Sequence, residues 1–215
     1  MSDTIVGSLQ SGRYEMGEVQ ALPRLVRAGE RVVEVGAGIG LLTAVIAVRT
    51  PAQLVVAIEA NPALQDYIAA LHRLNGADVI LRQALVTPQP AEGPERLLLH
   101  QDLWASSSAW IKRKDQLGAV LVPVLSLPEI AETWRPSLLI VDVEPFAAWT
   151  AAEGAPHALA GADFRPFERV VVELKPKRFA PAEVKRIFDH FSVQGFAYSP
   201  GLSSGPLVLF ERLAG

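Results

Sequence analysis

The sequence predicts an α/β fold: a mainly parallel sheet with helices on both faces and an antiparallel last strand. Three observations carry that expectation. Short runs rich in Val, Ile and Leu, suited to strands buried on both faces, recur along the chain. Segments with helical spacing fill most of the intervals between them. The final two runs are joined by turn residues, the pattern of antiparallel neighbours. With 215 residues, half of them hydrophobic, the chain can build one full core, so residues 1–215 are read as a single unit.

Taken in order, residues 1–20 are polar and Gly-containing and are expected to stay mobile until a ligand arrives. Strands are expected at Arg31–Val35, Leu54–Ile58, Val79–Leu81, Leu138–Val143, Val170–Leu174 and Leu207–Phe210. Helices are expected at Leu41–Val48, Pro62–Leu74, Leu127–Trp134, Phe146–Leu159 and Pro181–Phe191. Asn61 can cap the turn that Pro62 opens, and Pro181 suits the first position of a later helix. Between Thr87 and Leu125 the alternation lapses. Thr87–Pro94 holds three prolines and a glycine, and Arg96–His100 and Val120–Leu125 read as strands around the polar loop Ser106–Ser108. Together these form a small inserted β element over about 87–125. In the tail, Gly195–Tyr198 and Leu207–Phe210 flank the turn-rich Pro200–Gly205, which predicts a hairpin and a reversed last strand.

Composition narrows the function. Lys and Arg total 20 and Asp and Glu 23, a net charge of −3, so no broad basic field is available for a phosphate backbone and nucleic acid is not expected as a partner. Cysteine is absent, which excludes disulfides and thiolate metal sites. The opening Met1-Ser2-Asp3-Thr4 lacks the basic and apolar regions of a signal peptide, and the most apolar runs, Ala119–Leu125 and Leu138–Val143, are far shorter than the roughly 20 residues of a membrane helix. A cytoplasmic location, no membrane and a possible homo-oligomer are the resulting expectations.

The most informative segment is Val32–Thr43, a strand running through Gly36, Gly38 and Gly40 into an amphipathic helix. Glycines permit a tight turn and let a ligand approach the backbone with no Cβ in the way. A dinucleotide turn has the spacing G-x-G-x-x-G. Here the third glycine comes one residue early, and Leu41 stands where that pattern wants glycine. Glu34, two residues before Gly36, would repel a pyrophosphate and suits an amino group. About twenty residues on, Glu59 ends the second strand, the position that holds a ribose diol in this architecture. An amine and a ribose without pyrophosphate describe S-adenosylmethionine. Its expected contacts are Glu34, Gly36, Ala37, Gly38, Gly40, Glu59, Ala60, Asn61 and Asp142, with Gln83 hydrogen-bonding adenine and Ala84 leaving room for the ring. The implied fold is a Rossmann-like class I methyltransferase sheet.

These residues resemble the FkbM family of S-adenosylmethionine-dependent methyltransferases, from about Gly17 to about Pro176. Val35–Gly40 is similar to the family's D-V-G-A-N-x-G, with Glu34 for the usual Asp and Gly38 for the usual Asn. Ile58–Pro62 resembles its E-P-N-P, Leu125–Ile130 the segment leading to its fourth core strand, and Val171–Leu174 carries its Glu at the end of the fifth strand. Ile140-Val141-Asp142-Val143-Glu144-Pro145 is similar to K-I-D-V-E-G, with Ile140 for Lys and Pro145 for Gly. The resemblance implies O-methylation of a hydroxyl on a small molecule, natural product or sugar.

Methyl transfer from a sulfonium mainly requires alignment and, for a hydroxyl, removal of one proton. A two-residue period places Ile140, Asp142 and Glu144 on one face at the carboxyl end of the fourth strand, with Glu144 as the candidate base and Asp142 holding the cofactor or the loop. Two carboxylates alone do not make a metal site, and no metal is expected. Glu173 and Lys175 read equally well as a solvated rim pair. The four histidines, His72, His100, His157 and His190, show no ligand spacing, with His100 at the border of the inserted element. Trp104, Trp110, Trp134 and Trp149 read first as packing, then as an acceptor pocket, and Lys112–Lys114 as a solvated loop. Two rival functions stand beside the methyltransferase. One is an NAD(P)-dependent oxidoreductase, opposed by the glycine spacing and Glu34, and the other a catalytically silent cofactor-binding subunit.

Overall fold

The computed structural model describes residues 3–100, 107–108, 116–143, 159–174 and 180–213. Two helices, α1 (Asp3–Gln10) and α2 (Met16–Leu25), precede the sheet where a mobile segment was expected. Gly17 and Pro23 lower the helical propensity of α2, yet Ala21, Leu22 and Leu25 are buried, and packing overrides the local preference. The alternation then follows: β1 (Arg31–Val35), α3 (Leu41–Arg49), β2 (Leu54–Glu59), a 3₁₀ turn at Pro62–Leu64 running into α4 (Gln65–Leu74), and β3 (Ile80–Gln83). Asn61 caps the turn as expected, its Oδ1 accepting from the Ala63 N–H at 3.0 Å.

The inserted region contains β4 (Leu85–Thr87), β5 (Glu95–His100), β6 (Ser107–Ser108), β7 (Gln116–Val122) and β8 (Val124–Ser126). β5, β6 and β7 form an antiparallel sheet in the order β6-β5-β7, while β4 and β8 pair in parallel. Ser107 and Ser108, expected in a loop, pair with Leu98 and Leu97. Beyond them lie α5 (Leu127–Trp134), β9 (Leu138–Val141), a 3₁₀ turn at Leu159–Gly161, β10 (Arg169–Glu173), α6 (Pro181–Val193), β11 (Phe196–Tyr198) and β12 (Leu207–Arg212). Ser126 opens α5 with a reciprocal capping box to Glu129. The helix expected over Phe146–Leu159 lies outside the described residues except for Leu159, which begins the 3₁₀ turn. No helix among the described residues is long and apolar enough to cross a membrane.

The main sheet has seven strands in the order β11-β12-β10-β9-β1-β2-β3. β12 runs antiparallel to both neighbours and the remaining pairings are parallel, so the reversed last strand lies inside the sheet. The two-residue period sorts the strands onto two cores. Val33, Val35, Leu139 and Val141 pack with Ile130 and Trp134 of α5 and Ile187 and Phe191 of α6. Val32, Leu138 and Ile140 pack on the other face with Leu22 and Leu25 of α2 and Leu42 and Ile46 of α3. From β1 the chain steps outward to β2 and β3, then returns to lay β9 and β10 on the opposite side. The strand order reverses between β1 and β9, and in open α/β sheets the carboxyl ends at such a point are where a ligand crevice lies.

Candidate functional site

The crevice is built on a close approach of two loops. Gly36 follows β1 with φ +85, and a Cβ built there would lie 2.1 Å from the Asp142 carbonyl oxygen and 2.5 Å from Val143 Cγ1. Only glycine allows this contact, which the Asp142 N–H secures by donating to the Val35 carbonyl at 3.0 Å. Gly40, at φ +80, lies as tightly under α4: a Cβ would meet Ile68 Cγ2 at 2.7 Å and His72 Nε2 at 2.9 Å. His72 is buried and approaches both the Gly40 carbonyl at 3.1 Å and Thr43 Oγ1 at 3.0 Å through Nε2. Only an Nε2–H can serve that carbonyl, and burial lowers the imidazole pKa, keeping the ring neutral. His72 therefore pins the start of α3.

Four of the turn's N–H groups are engaged within the protein. Those of Gly36 and Ala37 donate to the Ile58 carbonyl at 2.9 and 3.1 Å, that of Gly40 to Ala37, and that of Gly38 to Glu59 Oε2 at 2.9 Å. A pyrophosphate needs such donors, and these four are already taken. The other Glu59 oxygen accepts from the Asn61 N–H at 2.7 Å. The Ala60 backbone N–H adds a third hydrogen bond to the carboxylate. Burial pushes the Glu59 carboxyl up, backbone hydrogen bonds from Asn61 and Gly38 pull it back, and it settles at about 7.

Glu34 is the electrostatic centre. It is 1% exposed, and its Oε2 has no hydrogen-bond partner among the described residues. Burial, followed by the charges of Glu15, Asp142, Glu59 and Glu173, holds its carboxyl well above the usual carboxylate range. A buried, unsatisfied carboxyl among acids suits a cationic group. Tyr14 reaches the same place: its hydroxyl lies 3.7 Å from a Cβ built at Gly38. Burial, the charge and hydrogen bond of Glu15, and the charges of Asp142 and Glu34 raise its pKa.

The structure thus gathers Glu34, Gly36, Ala37, Gly38, Gly40, Glu59 and Asp142 around one crevice. Gln83 sits beside Glu59 in the strand register, and Ala84 is buried behind it in the core. Ala60 packs against the Leu85, Leu97 and Val122 cluster. Asn61 is fully buried; its N–H donates to Glu59 and its side chain caps the turn. β9 ends at Val141, two residues earlier than expected, so Asp142 lies beyond the strand and is half-buried. The alternation argued for Asp142 and Glu144 therefore stops before either residue. Glu144, Pro145 and Lys175 lie outside the described residues, as do His157, Lys112–Lys114, Trp104, Trp110 and Trp149; Trp134 is buried in the core. Sequence reasoning missed Tyr14 and Glu15, because Gly17 and Pro23 conceal the helix that carries them to the site.

Comparison with solved structures matches this architecture. A TehB-like S-adenosylmethionine-dependent methyltransferase from Corynebacterium glutamicum is 11% identical over 98% of this chain and 95% of its own, with a TM-score of 0.53. The fold is that of the class I methyltransferases. Magnesium protoporphyrin IX methyltransferase from Synechocystis, solved with bound S-adenosylmethionine, shares the class I fold at 14% identity, covering 99% of this chain and 86% of its own, with a TM-score of 0.51. A methyltransferase from Pyrococcus furiosus shares it at 13% identity over 93% and 83%, with a TM-score of 0.52. The family model described as the TRM5/TYW2 methyltransferase domain matches residues 10–89, a stretch that holds Tyr14, Glu34, the glycine turn and Glu59. No curated protein matches the chain.

Proposed function

We propose that this chain is an S-adenosylmethionine-dependent methyltransferase acting on a small-molecule acceptor. The observation that carries this reading is Glu34, buried at the switch point with an unpartnered oxygen beside a glycine turn four of whose N–H groups are already engaged. That combination suits an ammonium and disfavours a pyrophosphate. Glu34 would hold the amino group, Glu59 the ribose diol, and Gln83 the adenine, while the glycine turn leaves the backbone bare for close approach. When bound, the cofactor supplies an electrophilic methyl group. The solved neighbours that carry S-adenosylmethionine or act as methyltransferases support the reading through their shared fold, and the family match covers the cofactor half of the site.

The acceptor reading is O-methylation of a hydroxyl and rests on the FkbM-like Ile140–Pro145. Proton removal then falls to Glu144, with Asp142 orienting the crevice from its place against Gly36. Glu144→Gln should slow transfer to a hydroxyl acceptor while leaving S-adenosylhomocysteine affinity unchanged. Normal turnover in that variant would remove Glu144 from the chemistry.

Calorimetry tests the cofactor. S-adenosylmethionine and S-adenosylhomocysteine should bind and NAD should not; heat from NAD alone would overturn the proposal. Affinity should also depend on pH. Glu59 accepts hydroxyls best when ionised, and its carboxyl in the free protein titrates at about 7. Affinity should therefore be highest above that value and fall as pH drops through it, by up to about tenfold per unit. In Glu59→Gln that dependence should flatten, and a slope that survived unchanged would place it on another group.

A further inference from the structure

Glu34 lies on the face of β1 that the N-terminal helices cover. Val32, two residues before it, packs in one cluster with Ala21, Leu22 and Leu25 of α2. The residue that caps α2 is Glu15, held at φ 48, ψ 29, a left-handed conformation uncommon for a residue with a Cβ. Tyr14 fixes this segment by packing against Ile39, Leu64 and Ile68, the residues that line the underside of the glycine turn. Its hydroxyl stands over Gly38 and hydrogen-bonds to the Glu15 side chain. Of the charges that act on Glu34, that of Glu15 is the strongest.

We propose that Glu15 and Glu34 together receive the ammonium group of the cofactor's amino-acid end, with Tyr14 orienting Glu15 and the 14–15 segment closing that end of the crevice. The inference rests on the cofactor reading above. An ammonium carries three donors, enough to serve the unpartnered Oε2 of Glu34 and a Glu15 oxygen at once. Burial and the charge of Glu15 both disfavour a lone carboxylate at Glu34, and an arriving cation offsets them. The left-handed backbone at Glu15 turns the segment over Gly38 and starts α2 on the Glu34 face.

The experiment compares two ligands that differ in this group alone as far as recognition is concerned: S-adenosylhomocysteine, which carries the amino-acid end, and 5′-methylthioadenosine, which keeps the adenosine and thioether without it. Affinities are measured by calorimetry on the full chain for wild type, Glu15→Gln and Glu15→Gly. The glycine variant relieves the left-handed backbone, so it retains the fold while losing the carboxylate. Both variants should weaken S-adenosylhomocysteine by about ten- to a hundredfold and leave 5′-methylthioadenosine unchanged. Tyr14→Phe should show a smaller loss with the same selectivity. Equal losses for the two ligands would assign Glu15 a structural part only, and unchanged affinity for both would remove it from the site; either result overturns the inference while the cofactor reading stands. If wild type binds neither compound, the cofactor reading falls and takes the inference with it.

Discussion

Gly36→Ala is expected to destabilise the protein by about 2–5 kcal/mol, the sum of a left-handed backbone penalty and the strain of overpacking. The new Cβ would stand 2.1 Å from the Asp142 carbonyl oxygen and 2.9 Å from its carbon, both backbone atoms that no rotamer change can move. The carboxyl ends of β1 and β9 would have to separate, weakening the Asp142 N–H bond to Val35 and displacing Glu34 and Asp142 from each other. Cofactor affinity should fall with stability, and denaturant unfolding together with calorimetry measures the two losses. Gly38→Ala is the control. Its Cβ would meet only the Tyr14 hydroxyl, at 3.7 Å, so its cost reduces to the backbone penalty at φ +56, about 1–2 kcal/mol. Similar stabilities for the two variants would mean that the contact between the β1 and β9 loops is softer than the geometry implies.

Glu30→Ala should cost about 3–5 kcal/mol, at the opposite end of the sheet. Arg169 opens β10 with its side chain 3% exposed, and its Nη1 donates to Glu30 Oε1 at 2.8 Å and to the Leu25 carbonyl at 2.7 Å. Glu30 Oε2 in turn accepts from the Arg27 N–H at 2.6 Å, tying the loop after α2 to the strand. Removing Glu30 leaves a buried guanidinium with only a partial counter-charge from Glu211, whose Oε1 lies 3.2 Å from Nε. Replacing both partners by apolar residues, Glu30→Leu with Arg169→Met, should recover most of the loss, because no buried charge is then left unpaired. Urea unfolding of the single and double variants decides this, and a single variant as stable as wild type would show that water reaches Arg169. Because the pair lies away from the crevice, S-adenosylhomocysteine affinity of the folded variants should not change.

Much of this protein was legible in its local sequence. All six expected core strands and the helices α3, α5 and α6 lie within about two residues of their expected ends, because strands buried on both faces and amphipathic helices write their periods directly into consecutive residues. Glu34 and Glu59 were identifiable for the same reason: each interrupts an apolar run where a strand gives way to a loop. The boundary at Val141 was not legible, since the apolar run continues to Val143 while hydrogen bonding to β1 ends at the point where Asp142 turns against Gly36.

What the sequence by itself determined is the set of groups offered to a ligand: a bare glycine turn, an acid at the end of β1 and another at the end of β2. Only the tertiary structure decided how those groups are charged and closed in. The engaged N–H groups of the turn depend on Ile58 and Glu59, some twenty residues away. The orphaned oxygen of Glu34 depends on burial beneath α2 and α3. Tyr14 and Glu15 join the site through a helix whose glycine and proline argue against it, and which forms because its apolar face covers Val32. Chemistry carried by a residue type can be read along the chain, whereas desolvation, charge crowding and the approach of one backbone to another exist only between segments that folding brings together.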